Sequence, residues 1–97
     1  MENQKLTGYR TLTQVEIDLI NKIKAKGAEL GTLVEKLFDH ARQQIDEANA
    51  HGSKTGDFTE FQRITDAEPH HWVATGATSL QQGLMALTRA VAQPTTF

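Results

Sequence analysis

The sequence predicts an all-α protein, in which a short N-terminal segment precedes two long antiparallel helices that form a hairpin. Apolar or small residues recur at steps of three and four through two stretches, which is the period of an amphipathic helix. No segment shows the alternation of a half-buried strand. The 97 residues allow one domain. Within 1–97 we predict a first helix over 13–50, a connection over 52–66 and a second helix over 67–93.

The first long helix has sequence signals at both ends. Thr13 and Glu16 have the T-x-x-E spacing of a capping box, which satisfies two backbone donors of the first turn. His51-Gly52 is predicted to end the helix, because glycine readily takes the left-handed conformation of a helix cap. The apolar stripe of this helix consists of Ile20, Ile23, Gly27, Leu30, Val34, Leu37, Ala41, Ile45 and Ala48.

The sequence signals for the connection and for the second helix are weaker than those for the first helix. The spacing from Asp57 to Ile64 fits a short helix with a second capping box at Asp57 and Glu60, or an extended lid. Thr65 and Glu68 repeat the T-x-x-E spacing of Thr13 and Glu16 and are predicted to start the second helix. The apolar stripe of this helix consists of Val73, Ala77, Leu80, Leu84, Leu87 and Val91.

Both helices carry apolar residues away from these stripes, namely Val15, Leu33, Phe38, Trp72, Met85 and Ala86. A hairpin of two helices covers one stripe on each helix and leaves this surplus exposed. Large exposed apolar patches are disfavoured in monomers. We therefore predict a homo-oligomer that is built from a two-fold dimer.

Composition excludes several classes of protein. There is no cysteine, so disulfides and thiolate metal sites are absent. No run of 18 apolar residues is present, so we expect no membrane span and a cytosolic location. The net charge of −2 gives no general attraction to polymeric nucleic acid, whereas a small anionic ligand needs only a few local cations.

No catalytic or metal-binding pattern is visible in the sequence. The two serines lie outside any G-x-S-x-G turn, and no two of the four histidines have the i,i+4 spacing of helical metal ligands. The carboxylates Glu35 and Asp39 lie near Lys36 and Arg42, which is typical of a solvated charged face. We predict a protein that is not an enzyme and has no cofactor and no metal.

The basic residues of the first helix offer a candidate binding site. At 100° per residue, Lys24 and Lys26 fall on opposite edges of the apolar stripe and Lys22 faces water. Lys24 borders a patch of small residues that includes Gly27 and Ala28, so it is either a cation beside an open notch or a lysine that snorkels past a helix crossing.

Tyr9 and Arg10 strengthen the first of these interpretations. A tyrosine ring stacks on a base, and a guanidinium forks onto a phosphate. Tyr9 of a partner chain could meet Lys24 across a dimer. On the second helix, Arg89 lies on the face away from the apolar stripe, which is either simply exposed or lines a subunit junction where Arg89 meets an anion.

Two blocks of the sequence are similar to a known family. The first is Gly8-Tyr9-Arg10 followed by E-I-x-L-I-N-x-I-K-x-K-G at 16–27, and the second is L-Q-Q-G-L-M-A-L-T-R-A-V-A-Q-P at 80–94. Together they resemble small phage proteins that counter CBASS, a bacterial defence that signals with cyclic oligonucleotides. Those proteins are sponges, which bind the messengers without cutting them.

The resemblance implies a hexamer of helical hairpins in the cytoplasm of the infected host. It implies that cyclic dinucleotides such as cyclic GMP-AMP bind between paired subunits, where Tyr9 matches the stacking tyrosine and Lys24 the lysine that contacts phosphate. We add the neighbouring cations Arg10 and Lys26 to this expected site.

The resemblance also implies separate pockets for cyclic trinucleotides. Their residues would be His71, just before the tryptophan, with Thr95 and Thr96 of the C-terminal tail, and we add Arg89 to them. Two alternatives remain open: a helical protein–protein adaptor or inhibitor without a nucleotide ligand, and a hydrolase of the same messengers.

Overall fold

A computed structural model describes residues 10–95 and contains three helices: α1 (Gln14–Thr55), α2 (Thr59–Ala67) and α3 (Pro69–Ala92). No strand occurs within these residues, which confirms the all-α class. The predicted N-terminal segment falls largely on residues 1–9, outside the described residues. The described helices include none that is long and apolar enough to cross a membrane.

The chain divides into two compact units, and both α1 and α3 contribute to each of them. Gly31–Thr78 forms the second unit, and the described residues on either side of it form the first. In the first unit Gly27 of α1 faces Leu84 of α3, while Arg10 contacts Val91. From Arg10 to Gly27 along the chain, the contacted residue of α3 moves back from Val91 to Leu84. The helices α1 and α3 therefore run antiparallel, as predicted for a hairpin.

The capping box at the start of α1 is present as predicted. The backbone N–H of Thr13 donates to Glu16 Oε1 at 2.8 Å, and the N–H of Glu16 donates to Thr13 Oγ1 at 3.2 Å. Two donors that have no partner within the helix are thereby satisfied.

The predicted end of the first helix at His51-Gly52 is wrong, because α1 continues to Thr55. Gly52 is buried, and the ring of Phe58 lies directly against its Cα. The left-handed residue is Gly56, with φ of 82°, and its N–H donates to the carbonyl of Gly52 at 2.7 Å. Gly52 therefore serves close packing, while Gly56 provides the backbone conformation that ends the helix.

The connection contains the short helix α2, so the alternative of an extended lid is excluded. The predicted capping box at Asp57 and Glu60 does not form. Asp57 Oδ1 instead accepts from the N–H and the hydroxyl of Thr59, and Glu60 pairs with Arg63. Ile64 of α2 is buried.

The prediction that Thr65 and Glu68 start the second helix is also wrong. The Thr65 hydroxyl donates to the Phe61 carbonyl within α2, and Glu68 ends α2 in the left-handed conformation with φ of 52°. Pro69 is then the first residue of α3, a position where proline has no N–H to lose from the helix. At its other end α3 stops at Ala92, one residue before the predicted end.

The buried face of α1 agrees with the predicted stripe at every position except Leu37. That leucine is exposed, and Phe38 is half-buried in its place. The Phe38 ring stacks on His70 with 5.9 Å between the ring centroids. Phe38 is therefore not part of the apolar surplus, contrary to the sequence-based expectation.

The buried face of α3 differs more from the prediction. Leu84 and Val91 are half-buried as expected, but Leu87 is 57% exposed. Thr88 and Ala92 turn inward instead. Because Val73 and Ala77 remain half-buried as predicted, this corresponds, at 100° per residue, to a rotation of the buried face of only roughly 40° relative to the predicted stripe. Thr88 tolerates partial burial because its hydroxyl donates to the Leu84 carbonyl at 3.0 Å.

Replacement of Gly52 by alanine is predicted to destabilise the fold. A Cβ at Gly52 would lie 2.8 Å from Phe58 Cγ and closer to two other ring carbons, so the ring must leave its site. Overpacking of this kind costs about 1–3 kcal/mol. Gly31→Ala is the matched control, because a Cβ there meets nothing within 4 Å. It should stabilise by about 1 kcal/mol through helix propensity. Urea unfolding of both variants tests this, and equal shifts in the two would contradict it.

Candidate functional site

An open groove on the first unit is the main candidate site. It has a volume of about 470 Å³, which lies in the range of about 300–1,000 Å³ that is usual for ligand sites. We call it the Lys24 groove. Its lining residues come from α1 and α3 and are Ile23, Lys24, Gly27, Leu84, Met85, Ala86, Thr88, Arg89 and Ala92.

The small residues of this groove set how closely its two helices approach. A Cβ at Gly27 would lie 3.2 Å from Leu84 Cδ1, which is tighter than ordinary van der Waals contact. Glycine thus lets α3 pack directly against the backbone of α1, and it leaves the floor of the groove without a side chain from this position. The predicted notch of small residues beside Lys24 is present at Gly27.

The Lys24 groove is electrostatically suited to an anion. Lys24 on α1 and Arg89 on α3 both line it, and no acidic side chain is among its described lining residues. Within residues 10–95 the Lys24 ammonium has no carboxylate partner. Two cations beside an otherwise apolar surface favour a ligand with an anionic group and flat apolar parts.

A second groove of about 350 Å³ also lies on the first unit, and Lys26 lines it. It shares Ile23 and Leu84 with the Lys24 groove but contains neither Lys24 nor Arg89. This agrees with the prediction that Lys24 and Lys26 lie on opposite edges of the stripe. The Lys26 ammonium pairs with Glu29 at 3.4 Å. Lys22 is exposed, as predicted, and also lines this second groove.

Arg10 has partners within the chain. Its guanidinium makes a bidentate pair with the Glu16 carboxylate, with 3.0 Å from Nη1 to Oε1, and Nη2 also donates to the Val91 carbonyl at 2.8 Å. Arg10 thus joins the start of α1 to the end of α3. The same fork that we predicted for a phosphate is occupied here by a carboxylate.

This contact perturbs the protonation of Glu16. Hydrogen bonds from the Arg10 side chain and from the Thr13 backbone lower the pKa of Glu16 to about 2 from its ordinary value of 4.5. The same carboxylate raises the pKa of Arg10. The lowered pKa of Glu16 and the raised pKa of Arg10 keep both groups charged near neutral pH, so the ion pair is present there.

Arg89 is exposed, as expected for the face of the second helix away from the apolar stripe. We had grouped it with His71 at a trinucleotide pocket. In the structure it also lines the Lys24 groove of the first unit, whereas His71 belongs to the second unit. The sequence signal was the inward period of Leu84, Thr88 and Ala92, which competes with that of the leucines.

The described lining residues of the Lys24 groove include neither His71 nor Thr95. His71 belongs to the second unit, where its ring meets the edge of Trp72 with 5.1 Å between centroids. Thr95 is exposed after the end of α3. Tyr9 and Thr96 lie outside the described residues. No group of three potential metal ligands occurs within 10–95.

The fold and the groove define a class: an all-α hairpin protein with a surface groove that is lined by two cationic side chains. The model of the family described as Acb2/Tad1, hairpin domain, matches residues 1–92, and the chain belongs to this family. A relative is Anti-CBASS protein 2 of Pseudomonas phage JBD67, which is 42% identical over 105 aligned positions covering 97% of each chain. The family resemblance inferred from the two sequence blocks is confirmed.

The Arg10–Glu16 pair predicts a specific pH dependence of stability. Because the pKa of Glu16 is lowered on folding, its contribution is complete above about pH 4.5 and is lost as the pH falls towards 2. Glu16→Gln should therefore unfold more easily at pH 7, and its free energy of unfolding should fall less steeply below pH 4.5 than that of the unmodified protein.

The control for this experiment is Glu29→Gln, which removes an exposed carboxylate that pairs with Lys26. Such exposed pairs contribute little to stability. Denaturant unfolding at several pH values between 2 and 7 provides the measurement. Parallel pH profiles for Glu16→Gln and the unmodified protein would show that the pair does not stabilise the fold.

Proposed function

We propose that this protein is a viral anti-defence sponge, which binds and sequesters the cyclic dinucleotide messengers of CBASS immunity in the cytoplasm of the infected host. The observation that carries the proposal is the Lys24 groove, where Lys24 borders an apolar surface without a carboxylate partner in the described chain. The printed name of the relative, Anti-CBASS protein 2, supports the same defence system.

The chemistry of the messenger fits a site that is shared by two subunits. A cyclic dinucleotide such as cyclic GMP-AMP has two phosphates and two bases in an approximately two-fold arrangement. Two copies of the chain around a two-fold axis would supply two Lys24 ammoniums for the phosphates and two Tyr9 rings for the bases. An open groove on one chain then becomes half of a closed site.

Sequestration requires abundance and tight binding, so the proposal assigns no cleavage step. Each bound messenger is removed from the free pool without being altered. A second pocket for cyclic trinucleotides is part of the proposal and involves His71, Thr95 and Thr96. Recovery of intact messenger after denaturation of the complex distinguishes this mechanism from hydrolysis.

The proposed assembly is a homohexamer of hairpins, and the exposed apolar side chains support oligomerisation. Trp72 is 62% and Met85 71% exposed, so the surplus predicted from sequence, apart from Phe38, remains uncovered in the single chain. Among residues 10–95, the exposed large hydrophobic residues are Val15, Leu19, Leu33, Leu37, Phe58, Trp72, Leu80, Met85 and Leu87. A surface of this kind favours burial against further subunits.

We predict a particle larger than a dimer in solution. The exposed apolar residues lie on both units, and a single two-fold contact leaves part of them uncovered. Light scattering coupled to size exclusion at micromolar concentration gives the mass directly. A monomer would contradict both the assembly and the shared site.

Tyr9→Ala and Lys24→Ala are predicted to weaken binding of cyclic GMP-AMP. Loss of stacking costs roughly 1–3 kcal/mol per base, so the loss of two rings lowers affinity about a hundredfold or more. Lys24→Ala should weaken binding and flatten its salt dependence, because it removes a charge that faces phosphate. Calorimetry with each single variant and with the double variant provides the measurement.

Helix content, oligomer mass and cyclic trinucleotide affinity are the controls, and all three should remain unchanged in both variants. If both single variants bind the dinucleotide as tightly as the unmodified protein does, the binding site lies elsewhere. If the unmodified protein binds no cyclic dinucleotide at all, the sponge proposal fails and the adaptor interpretation gains support.

A further inference from the structure

We propose that Arg89 is a second phosphate-contacting residue of the Lys24 groove, an inference that rests on the proposed function. The two side chains come from different helices and line the same depression. This assigns Arg89 to the dinucleotide site, whereas its sequence position had suggested the trinucleotide pocket.

The turn of α3 that carries Arg89 is held in place by contacts on both sides. The Arg89 carbonyl accepts the N–H of Gln93 at 2.7 Å, which closes the last turn. Two residues along, the Val91 carbonyl accepts from Arg10 Nη2 at 2.8 Å, and Arg10 is itself paired with Glu16. The backbone beneath Arg89 is therefore fixed relative to α1, which places both cations on a preorganised surface.

The two cations have different chemistry and complement each other. The Lys24 ammonium is a compact point charge on a flexible stem, while a guanidinium is a planar fork that forms two parallel hydrogen bonds to one phosphate. Arg89 thus provides the orientation that a single lysine does not. In a two-fold dimer, each of the two phosphates would then meet one lysine and one arginine.

The test compares cyclic GMP-AMP binding by Arg89→Ala and Arg89→Lys in the full chain. Arg89→Ala should lower affinity roughly tenfold to hundredfold, the loss typical of a charge-assisted hydrogen bond. Its salt dependence should become shallower, as for Lys24→Ala. Arg89→Lys keeps the charge and loses the fork, so it should retain the salt dependence and still bind more weakly.

Arg42→Ala is the matched control. Arg42 is an exposed arginine of α1 in the second unit, where it pairs with Asp39. Its removal changes the net charge by the same amount as Arg89→Ala, without touching the Lys24 groove. The dinucleotide affinity of Arg42→Ala should stay within about twofold of that of the unmodified protein. Such a change is small compared with a tenfold loss, which corresponds to about 1.4 kcal/mol.

The outcomes separate this inference from the proposed function. If Lys24→Ala weakens binding while Arg89→Ala behaves like Arg42→Ala, the sponge function stands and the role of Arg89 is overturned. Selective loss of cyclic trinucleotide binding in Arg89→Ala also overturns it. If Arg89→Ala fails to assemble by light scattering, Arg89→Lys decides, and dinucleotide affinity equal to that of the unmodified protein overturns the inference.

Discussion

The face that α3 turns towards α1 determines both the surface and the candidate site of the first unit. Gly27 lets Leu84 approach the α1 backbone closely, and Thr88 and Ala92 follow it inward. Small residues at these positions allow a closer approach than leucines would. Leu87 is left exposed as a consequence, and Arg89 comes to line the groove beside Lys24.

Sequence periodicity predicted α1 far better than α3. Along α1 a single apolar stripe has no rival, and only Leu37 lies outside the buried face. Along α3 two stripes compete, because leucines define one and smaller residues the other. Hydropathy favours the leucines, yet Thr88 satisfies its hydroxyl within its own helix and is buried at little cost. Which of the two stripes faces α1 depends on how closely the two helices approach, and a hydropathy pattern carries no information about that distance.

The capping-box spacings likewise show that a local sequence pattern does not determine which contacts form. Of the three T-x-x-E or D-x-x-E spacings that were predicted to start a helix, only the one at Thr13 and Glu16 forms a capping box. Arg10 holds Glu16 in place there, so the motif is supported by a contact from outside it. The candidate site was predicted in part: Lys24 and its notch followed from spacing, whereas Arg89 required the rotation of α3.

The exposed leucines of α3 connect the fold to the proposed function. In the proposed oligomer, Leu87 would be buried at a subunit contact instead of remaining in water. The same packing of α3 leaves Arg89 beside Lys24 in the lining of the Lys24 groove. A single packing choice would thus prepare both a surface for further subunits and a half-site for an anion. In the proposed sponge, a two-fold ligand would need a two-fold protein, because each chain would supply cations for one phosphate and a second chain would supply those for the other.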